Sequence, residues 1–186
     1  MRIVAGKFRG RKLKGPEGMD LRPTSDRLKQ TLFNIIGPRV IGAAVADVFA
    51  GSGAIGLEAL SRGAREAVFI DSDRAAVRLI RRNLALCGVT SGCRILHGDV
   101  FAQLRMLGRE GFKAEIIFFD PPYEWGPYGD LVEVPFKSGV ACEESLVIVE
   151  HHRKAVLPDS GPGFRRTRTV EQSDKRLSFY EAAREE

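Results

Sequence analysis

The sequence contains few of the residues that build metal centres or disulfide frameworks. Three cysteines and three histidines occur among 186 residues, and Cys87, Cys93 and Cys142 form no C-x-x-C pair. This spacing predicts reduced structural thiols and no metal site. No apolar run approaches the roughly 20 residues of a membrane span, and the first residues lack the apolar core of a signal peptide. We therefore expect a cytoplasmic protein with no metal and no membrane contact.

The positive charge is concentrated at the amino terminus. Residues 1–30 carry nine Lys or Arg and three Asp or Glu, a net +6, whereas the remainder has 20 basic and 21 acidic residues, a net −1. Six basic residues and no acidic residue lie in the first fourteen positions, which predicts contact with a polyanion. The candidate polyanion-contacting residues are Arg2, Lys7, Arg9, Arg11, Lys12, Lys14 and Arg22.

The first 22 residues differ in character from the rest. Residues 3–5 and 11–13 flank a glycine-rich turn, which predicts an exposed β-hairpin arm. Thr24 is the expected N-cap of a helix that ends at Gly37-Pro38. We expect one domain over residues 23–186 with residues 1–22 as a basic extension, and a monomer.

Strands and helices then alternate regularly. Five strands are predicted within 43–49, 67–70, 94–96, 114–119 and 146–149, each separated by a helical pattern. Such alternation favours parallel pairing, whereas residues 165–171 and 176–180 read as an antiparallel hairpin. The sequence thus predicts an α/β, Rossmann-like domain with a mostly parallel seven-stranded sheet.

A glycine-rich turn follows the first of these strands. Gly51-x-Gly53-x-x-Gly56 matches the dinucleotide-binding pattern, so a nicotinamide dehydrogenase is one interpretation. Asp47 favours another ligand, because a carboxylate there suits a cationic amino group and not a pyrophosphate. Phe49 also stands where that pattern would place more glycine. The candidate binding residues at this turn are Asp47, Phe49, Gly51, Ser52 and Gly53.

Acidic residues end the next two strands. Asp71 is placed to accept hydrogen bonds from both ribose hydroxyls of a nucleoside, and Ser72 beside it is a further candidate binding residue. Ser72 and Asp73 are also the expected caps of the following helix. Asp99 follows the third strand and suits an adenine amino group, with Val100 against the ring. Capping of the next helix is a nearly equal interpretation of Asp99.

Residues 120–123 read Asp-Pro-Pro-Tyr after an apolar strand. Two prolines fix φ and remove two N–H groups, so this corner is stiff and rich in acceptors. A carboxylate, the Pro121 carbonyl and an aromatic face suit a planar –NH2 group. Asp120, Pro121, Pro122 and Tyr123 are therefore the candidate catalytic residues for chemistry on an exocyclic amine.

Taken together, these motifs resemble class I S-adenosylmethionine-dependent methyltransferases with a (D/N)-P-P-(Y/F) motif. More narrowly, the chain resembles the RsmD family of 16S ribosomal RNA guanine-N2 methyltransferases. The resemblance rests on residues 1–10, 22–29, 49–63, 120–123 and 177–180. Family members often carry Glu at the ribose position, where this chain has Asp71.

The resemblance implies S-adenosylmethionine as methyl donor, S-adenosylhomocysteine as product, and ribosomal RNA or an assembling small subunit as partner. Asp120 and the Pro121 carbonyl would accept the hydrogens of the target amine, and Tyr123 would stack on the base. Arg22 and Thr24 resemble a stretch that closes over the cofactor pocket. The alternatives are a DNA adenine-N6 or protein-glutamine methyltransferase, and a noncatalytic RNA-binding module on the same fold.

Overall fold

The computed structural model describes residues 1–16, 24–122, 125–126 and 128–183. The strands are β1 (Ala44–Val48), β2 (Glu66–Asp71), β3 (Cys93–His97), β4 (Ile116–Phe119), β5 (Leu146–His152), β6 (Ser160–Gly161), β7 (Phe164–Gln172) and β8 (Lys175–Ala182). The helices are α1 (Thr24–Ile36), α2 (Ala54–Ser61), α3 (Arg74–Cys87), α4 (Val100–Arg109) and α5 (Gly129–Lys137). A 3₁₀ turn, Gly37–Val40, follows α1.

All eight of these strands join one sheet in the order β3-β2-β1-β4-β5-β8-β7-β6. The first five are parallel, and β8, β7 and β6 are antiparallel. This confirms the predicted fold class, with eight strands in place of seven. The extra strand, β6, has two residues, too few to show any alternation in the sequence.

The central strands are buried on both faces, as expected for a parallel sheet between helical layers. Alternate side chains of β1 divide between two cores because successive residues of a strand point to opposite faces. Ala46 and Val48 pack with side chains of α4 and α5, whereas Val45 packs with the apolar stripe of α1. Helices α2 and α3 pack on the same face as α1.

Helix ends fix where the loops of the site begin. The N-cap of α3 is Asp73, whose side chain accepts a hydrogen bond from the Ala75 N–H at 2.8 Å. Of the two predicted caps, Ser72 and Asp73, the structure shows the bond of Asp73. Gly88 ends α3 in the left-handed conformation, φ 69°, a common role of glycine.

The amino-terminal arm, residues 1–16, forms hairpin-like pairing, but it is not exposed as predicted. Arg2 and Lys12 form an antiparallel bridge, while Ile3 and Leu13 are buried in the core beneath α2 and α3. The arm is thus seated on the domain by its apolar residues. Its short strands could be recognised in the sequence, but the surface that covers them could not.

Polar contacts hold the arm in place. Glu58 of α2 is fully buried and accepts hydrogen bonds from the Val4 and Ala5 N–H groups at 2.8 and 3.0 Å. Asn83 of α3 bonds both the N–H and the carbonyl of Lys14. Asn83 also donates to the Ser52 carbonyl at 2.8 Å, so one side chain joins the arm to the glycine-rich turn.

Within these described stretches, no helix has the length and apolar character to cross a membrane. Likewise, over the same part of the chain, no group of three or more His, Cys, Asp or Glu side chains could hold a metal ion.

Candidate active site

The glycine-rich turn leaves β1 where the strand order reverses, with β2 on one side and β4 on the other. Ligands of open α/β sheets bind at such a switch point. Phe49, Gly51 and Gly53 all have positive φ, at 58°, 54° and 74°, so the turn is tightly wound. A Cβ at Gly56 would lie 2.4 Å from the Phe69 ring, which shows why α2 can pack so closely on β2.

Asp47 lies within β1 and is 2% exposed. Its Oδ2 accepts a hydrogen bond from the Gly56 N–H at 2.9 Å. Burial raises the pKa of Asp47 to about 8, against the lowering effect of this hydrogen bond, and the charges of Asp120 and Asp71 raise it further. A buried acid of this kind favours a cationic partner, since a nearby positive charge stabilises the ionised form.

Asp71 joins the end of β2 to the turn. Its Oδ2 accepts from the Gly51 N–H at 2.8 Å, and its Oδ1 accepts from the Asp73 N–H at 2.9 Å. A carboxylate has about four lone-pair positions, so these two bonds leave capacity for ribose hydroxyls. Ser72, next to it, is exposed.

Asp99 caps α4 by accepting from the Ala102 N–H at 2.8 Å. The capping interpretation of Asp99 is therefore confirmed, and the adenine contact stays a prediction. The side chain is exposed, while Val100 is 2% exposed and belongs to the core between the sheet and α4.

Asp120 directly follows β4, and its N–H donates to the Val48 carbonyl at 3.3 Å. This bond places the Asp-Pro-Pro corner beside the end of β1. The side chain of Asp120 is exposed to solvent. Desolvation by the surrounding protein and the charge of Glu150 nevertheless raise its pKa, while the charge of Lys175 lowers it. Pro121 is buried and Pro122 is exposed.

A cavity of about 250 Å³ brings these groups together. It joins the turn after β1 to the corner after β4, and it continues toward α1 and β8. Four carboxylates and two lysines lie along it. The described lining comprises Met1, Leu28, Lys29, Leu32, Asp47, Phe49, Ala50, Gly51, Ser52, Ala54, Ile55, Phe118, Asp120, Glu150, Asp174, Lys175 and Leu177.

Five predicted site residues line this cavity: Asp47, Phe49, Gly51, Ser52 and Asp120. Other predicted residues do not. Asp71, Asp99 and Val100 fall outside its described lining, on the β2 and β3 side of the turn. Tyr123 and Arg22 lie outside the described residues, as does the side chain of Thr24, whose backbone begins α1.

Sequence reasoning missed Glu150 and Lys175. Glu150 lies in β5, is 7% exposed, and forms an ion pair with Lys175 of β8. Burial raises the pKa of Glu150, and the ammonium of Lys175 opposes that effect. Asp71, Asp99 and Asp120 were identified as acidic residues at the carboxyl ends of parallel strands. Glu150 also lies near the carboxyl end of a parallel strand, so the same signal could have identified it.

Aromatic residues border the corner. The ring of Trp125, the single tryptophan of the chain, meets Phe49 edge-on at 4.8 Å and Phe101 at 5.9 Å between centroids. The backbone N–H of Trp125 donates to the Pro122 carbonyl at 2.9 Å. Tyr128 lies edge-on to His151 at 6.2 Å.

The basic side chains of the arm face outward. Arg2, Lys7, Arg9, Arg11, Lys12 and Lys14 are all exposed. A second cavity, of about 350 Å³, separates the arm from α1, and three arginines (Arg2, Arg9 and Arg27) lie along it with Gln30 and Asp26. An exposed cationic groove on a rigidly held arm suits a phosphate backbone.

Both the sequence and the fold are similar to those of known proteins. The model of the family described as Conserved hypothetical protein 95 matches residues 1–181. Ribosomal RNA small subunit methyltransferase D of Escherichia coli strain K12 is 38% identical over 158 residues, which cover 85% of this chain and 78% of the relative. YlbH of Bacillus subtilis strain 168, a candidate rRNA methyltransferase, is 35% identical over 162 residues, 86% and 87% of the two chains. The structure of the Escherichia coli methyltransferase candidate yhhF superposes with a TM-score of 0.82 at 34% identity, covering 98% of this chain and 97% of that one.

The fold and the acid-lined cavity at the switch point are those of a class I methyltransferase. The chain belongs to the Conserved hypothetical protein 95 family, and its predicted membership of the RsmD methyltransferases is confirmed. The prediction that it is an enzyme, a methyltransferase, is likewise confirmed.

Proposed function

We propose that this enzyme transfers a methyl group from S-adenosylmethionine to the exocyclic N2 amine of a guanine in small-subunit ribosomal RNA. One observation carries the proposal: Asp47 beside the glycine-rich turn and Asp120 of the Asp-Pro-Pro corner line the same cavity. That arrangement sets a site for a cationic donor next to a site for an amine. The relatives' names supply the substrate class.

The residues present fit S-adenosylmethionine, which carries two positive groups, an ammonium and a sulfonium, and one carboxylate. Asp47, Asp120, Glu150 and Asp174 give the cavity an excess of carboxylates over its two lysines. A Cβ at Gly51 would meet only the Phe49 carbonyl oxygen, at 3.9 Å, so protein packing leaves room at the turn for a ligand. Asp47 would hold the ammonium, and Asp71 the ribose hydroxyls.

The donor supplies an electrophilic methyl group that needs no metal for activation. The amine is the difficult partner, because its lone pair is delocalised into the guanine ring. Asp120 and the Pro121 carbonyl would accept its two hydrogens and aim the lone pair at the methyl carbon. Positive charge develops on the nitrogen, so Asp120 would stabilise the transition state more than the ground state. Tyr123 would stack on the base, which must be unpaired or flipped to enter.

The raised pKa of Asp120 also suits it to receive the proton that the nitrogen loses. A base of this kind works best when its pKa lies close to the operating pH. A carboxylate with an ordinary pKa would be a weaker acceptor.

The arm would supply affinity through phosphate contacts that carry no sequence information. Its attachment through Glu58 and Asn83 fixes the basic groups relative to the cavity. We treat residues 1–22 as an RNA-binding extension of the methyltransferase domain. A ribosomal RNA substrate would place the enzyme in the bacterial cytoplasm. We propose that it acts as a monomer.

A methylation assay tests this function. Purified enzyme is incubated with tritiated S-adenosylmethionine and, separately, free 16S ribosomal RNA, small ribosomal subunits and duplex DNA. The substrates are isolated from a strain that lacks the family's gene, and mass spectrometry of nucleosides identifies the product. We expect N2-methylguanosine in the RNA or in the subunit. Labelled DNA, labelled protein glutamine or no transfer to RNA would refute the proposal.

A further inference from the structure

Three charged residues that line the cavity, Asp120, Glu150 and Lys175, lie side by side on the neighbouring strands β4, β5 and β8 or directly after them. Phe119 of β4 is paired with Val149 of β5, so Asp120 and Glu150 come next on adjacent strands. Glu150 in turn forms an ion pair with Lys175 of β8, where β5 and β8 are antiparallel neighbours. From the glycine-rich turn outward, the order is therefore carboxylate, carboxylate, ammonium.

All three groups are accessible to a ligand. The cavity between the glycine-rich turn and the Asp-Pro-Pro corner is lined by Asp120, Glu150 and Lys175. The same three residues line a small recess beside Pro121 and Tyr128. The ion pair uses one oxygen of Glu150, and a carboxylate has about four lone-pair positions. Glu150 can thus bind Lys175 and a further donor.

The order of these groups matches one base. Guanine presents, along its Watson–Crick edge, the N2 amine as donor, N1–H as donor and O6 as acceptor. Adenine presents an acceptor at N1 and a donor at N6, which would face a carboxylate and an ammonium with the wrong polarity. Cytosine is also reversed, and uracil lacks an amine. Single-stranded RNA bases are commonly read on this edge.

We propose that Glu150 and Lys175 select guanine, with the Glu150 carboxylate accepting from N1–H and the Lys175 ammonium donating to O6. This rests on the proposed function and assigns the specificity of its target pocket. The match also fixes the orientation of the base, because the N2 amine then lies beside Asp120 and nearest the methyl donor. The partly buried ion pair holds the two groups in register before the base arrives.

Small subunits reconstituted from 16S ribosomal RNA provide the test. The methylated position, located by mass spectrometry, carries either guanine or 2,6-diaminopurine, which keeps the N2 amine but reverses the polarity at N1 and at position 6. Wild-type enzyme should prefer guanine by at least ~100-fold in kcat/KM, since two hydrogen bonds are replaced by clashes of like polarity.

The double variant Glu150→Gln with Lys175→Gln should cut that preference at least ~10-fold, because each amide can donate or accept. Two glutamines can still bond each other, so this variant keeps the contact between β5 and β8, and thermal melting checks its fold. Glu171→Gln is the matched control, because it breaks the Glu171–Arg176 ion pair on the same hairpin, away from the cavity lining. It should leave the preference unchanged.

The outcomes separate the two proposals. If wild-type enzyme methylates no guanine in the RNA, the proposed function fails. If it methylates guanine but accepts diaminopurine equally well, or if the double variant loses activity on both bases in the same ratio, the function stands and the role of Glu150 and Lys175 is overturned. A preference that falls in the double variant alone supports the inference.

Discussion

Replacing Asp47 by asparagine is expected to stabilise the free protein above pH 7 while weakening binding of S-adenosylmethionine. The side chain is 2% exposed, and asparagine keeps an acceptor for the Gly56 N–H. Asparagine is also neutral at every pH. The variant therefore removes the electrostatic cost of a buried carboxylate without opening a cavity.

The magnitude follows from the pKa of Asp47. The pKa is raised from 3.8 to about 8, so the folded state retains a proton that the unfolded chain has already lost. Stability of the wild type therefore falls as pH rises from about 4 to 8. At about 1.4 kcal/mol per unit, the cost grows by at most ~4 kcal/mol between pH 5 and pH 8. The stability gained by the variant should grow by about 2–4 kcal/mol over that range.

Urea denaturation of both proteins at pH 5 and pH 8 measures this difference, and calorimetry measures cofactor affinity. Binding to the wild type below pH 8 should release a proton, because the bound ammonium favours the ionised carboxylate. The variant should release none at this site and bind at least ~10-fold more weakly, since a charged hydrogen bond contributes about 1.5–3 kcal/mol. An Asp47→Asn protein with no extra stability at pH 8, or with unchanged affinity, would refute this reasoning.

Two further predictions concern the arm and the helix contact. Changing Arg9, Arg11 and Lys12 together to Glu should raise the KM for RNA and flatten its dependence on salt, because fewer counterions are released; an unaltered salt slope in filter-binding titrations would exclude the arm from RNA binding. Gly56→Ala should lower the free energy of unfolding by about 1–3 kcal/mol, since its Cβ would lie 2.4 Å from the Phe69 ring. Urea denaturation measures that change, and a variant as stable as the wild type would contradict it.

The sheet and most of its helices could be predicted because their sequence patterns are local. Short apolar runs between segments with a 3.6-residue period identified β1 to β5, and the succession of strands and helices implied their parallel order. The two-residue β6 offers no period to detect. The sequence predicted the cap of α3 at Ser72 and Asp73 together, because both are good capping residues and only the backbone decides between them.

The site was predicted in part for a similar reason. The glycine-rich turn and the Asp-Pro-Pro corner are short motifs, and the topology of a parallel sheet brings them together. The pairing of Glu150 with Lys175 joins residues 25 positions apart through an antiparallel contact, which no local pattern reveals. The seating of the arm by Glu58 likewise depends on a surface formed 53 positions away.

In the proposed mechanism, Asp120 acts on the amine and not on the donor. Single-turnover methylation of small subunits by Asp120→Ala, compared with calorimetric binding of S-adenosylmethionine to the same variant, tests this role. We predict a rate lower by at least ~10²-fold, as for loss of a preorganised electrostatic group, with cofactor affinity nearly unchanged. An undiminished rate, or a loss explained entirely by weaker cofactor binding, would contradict the account.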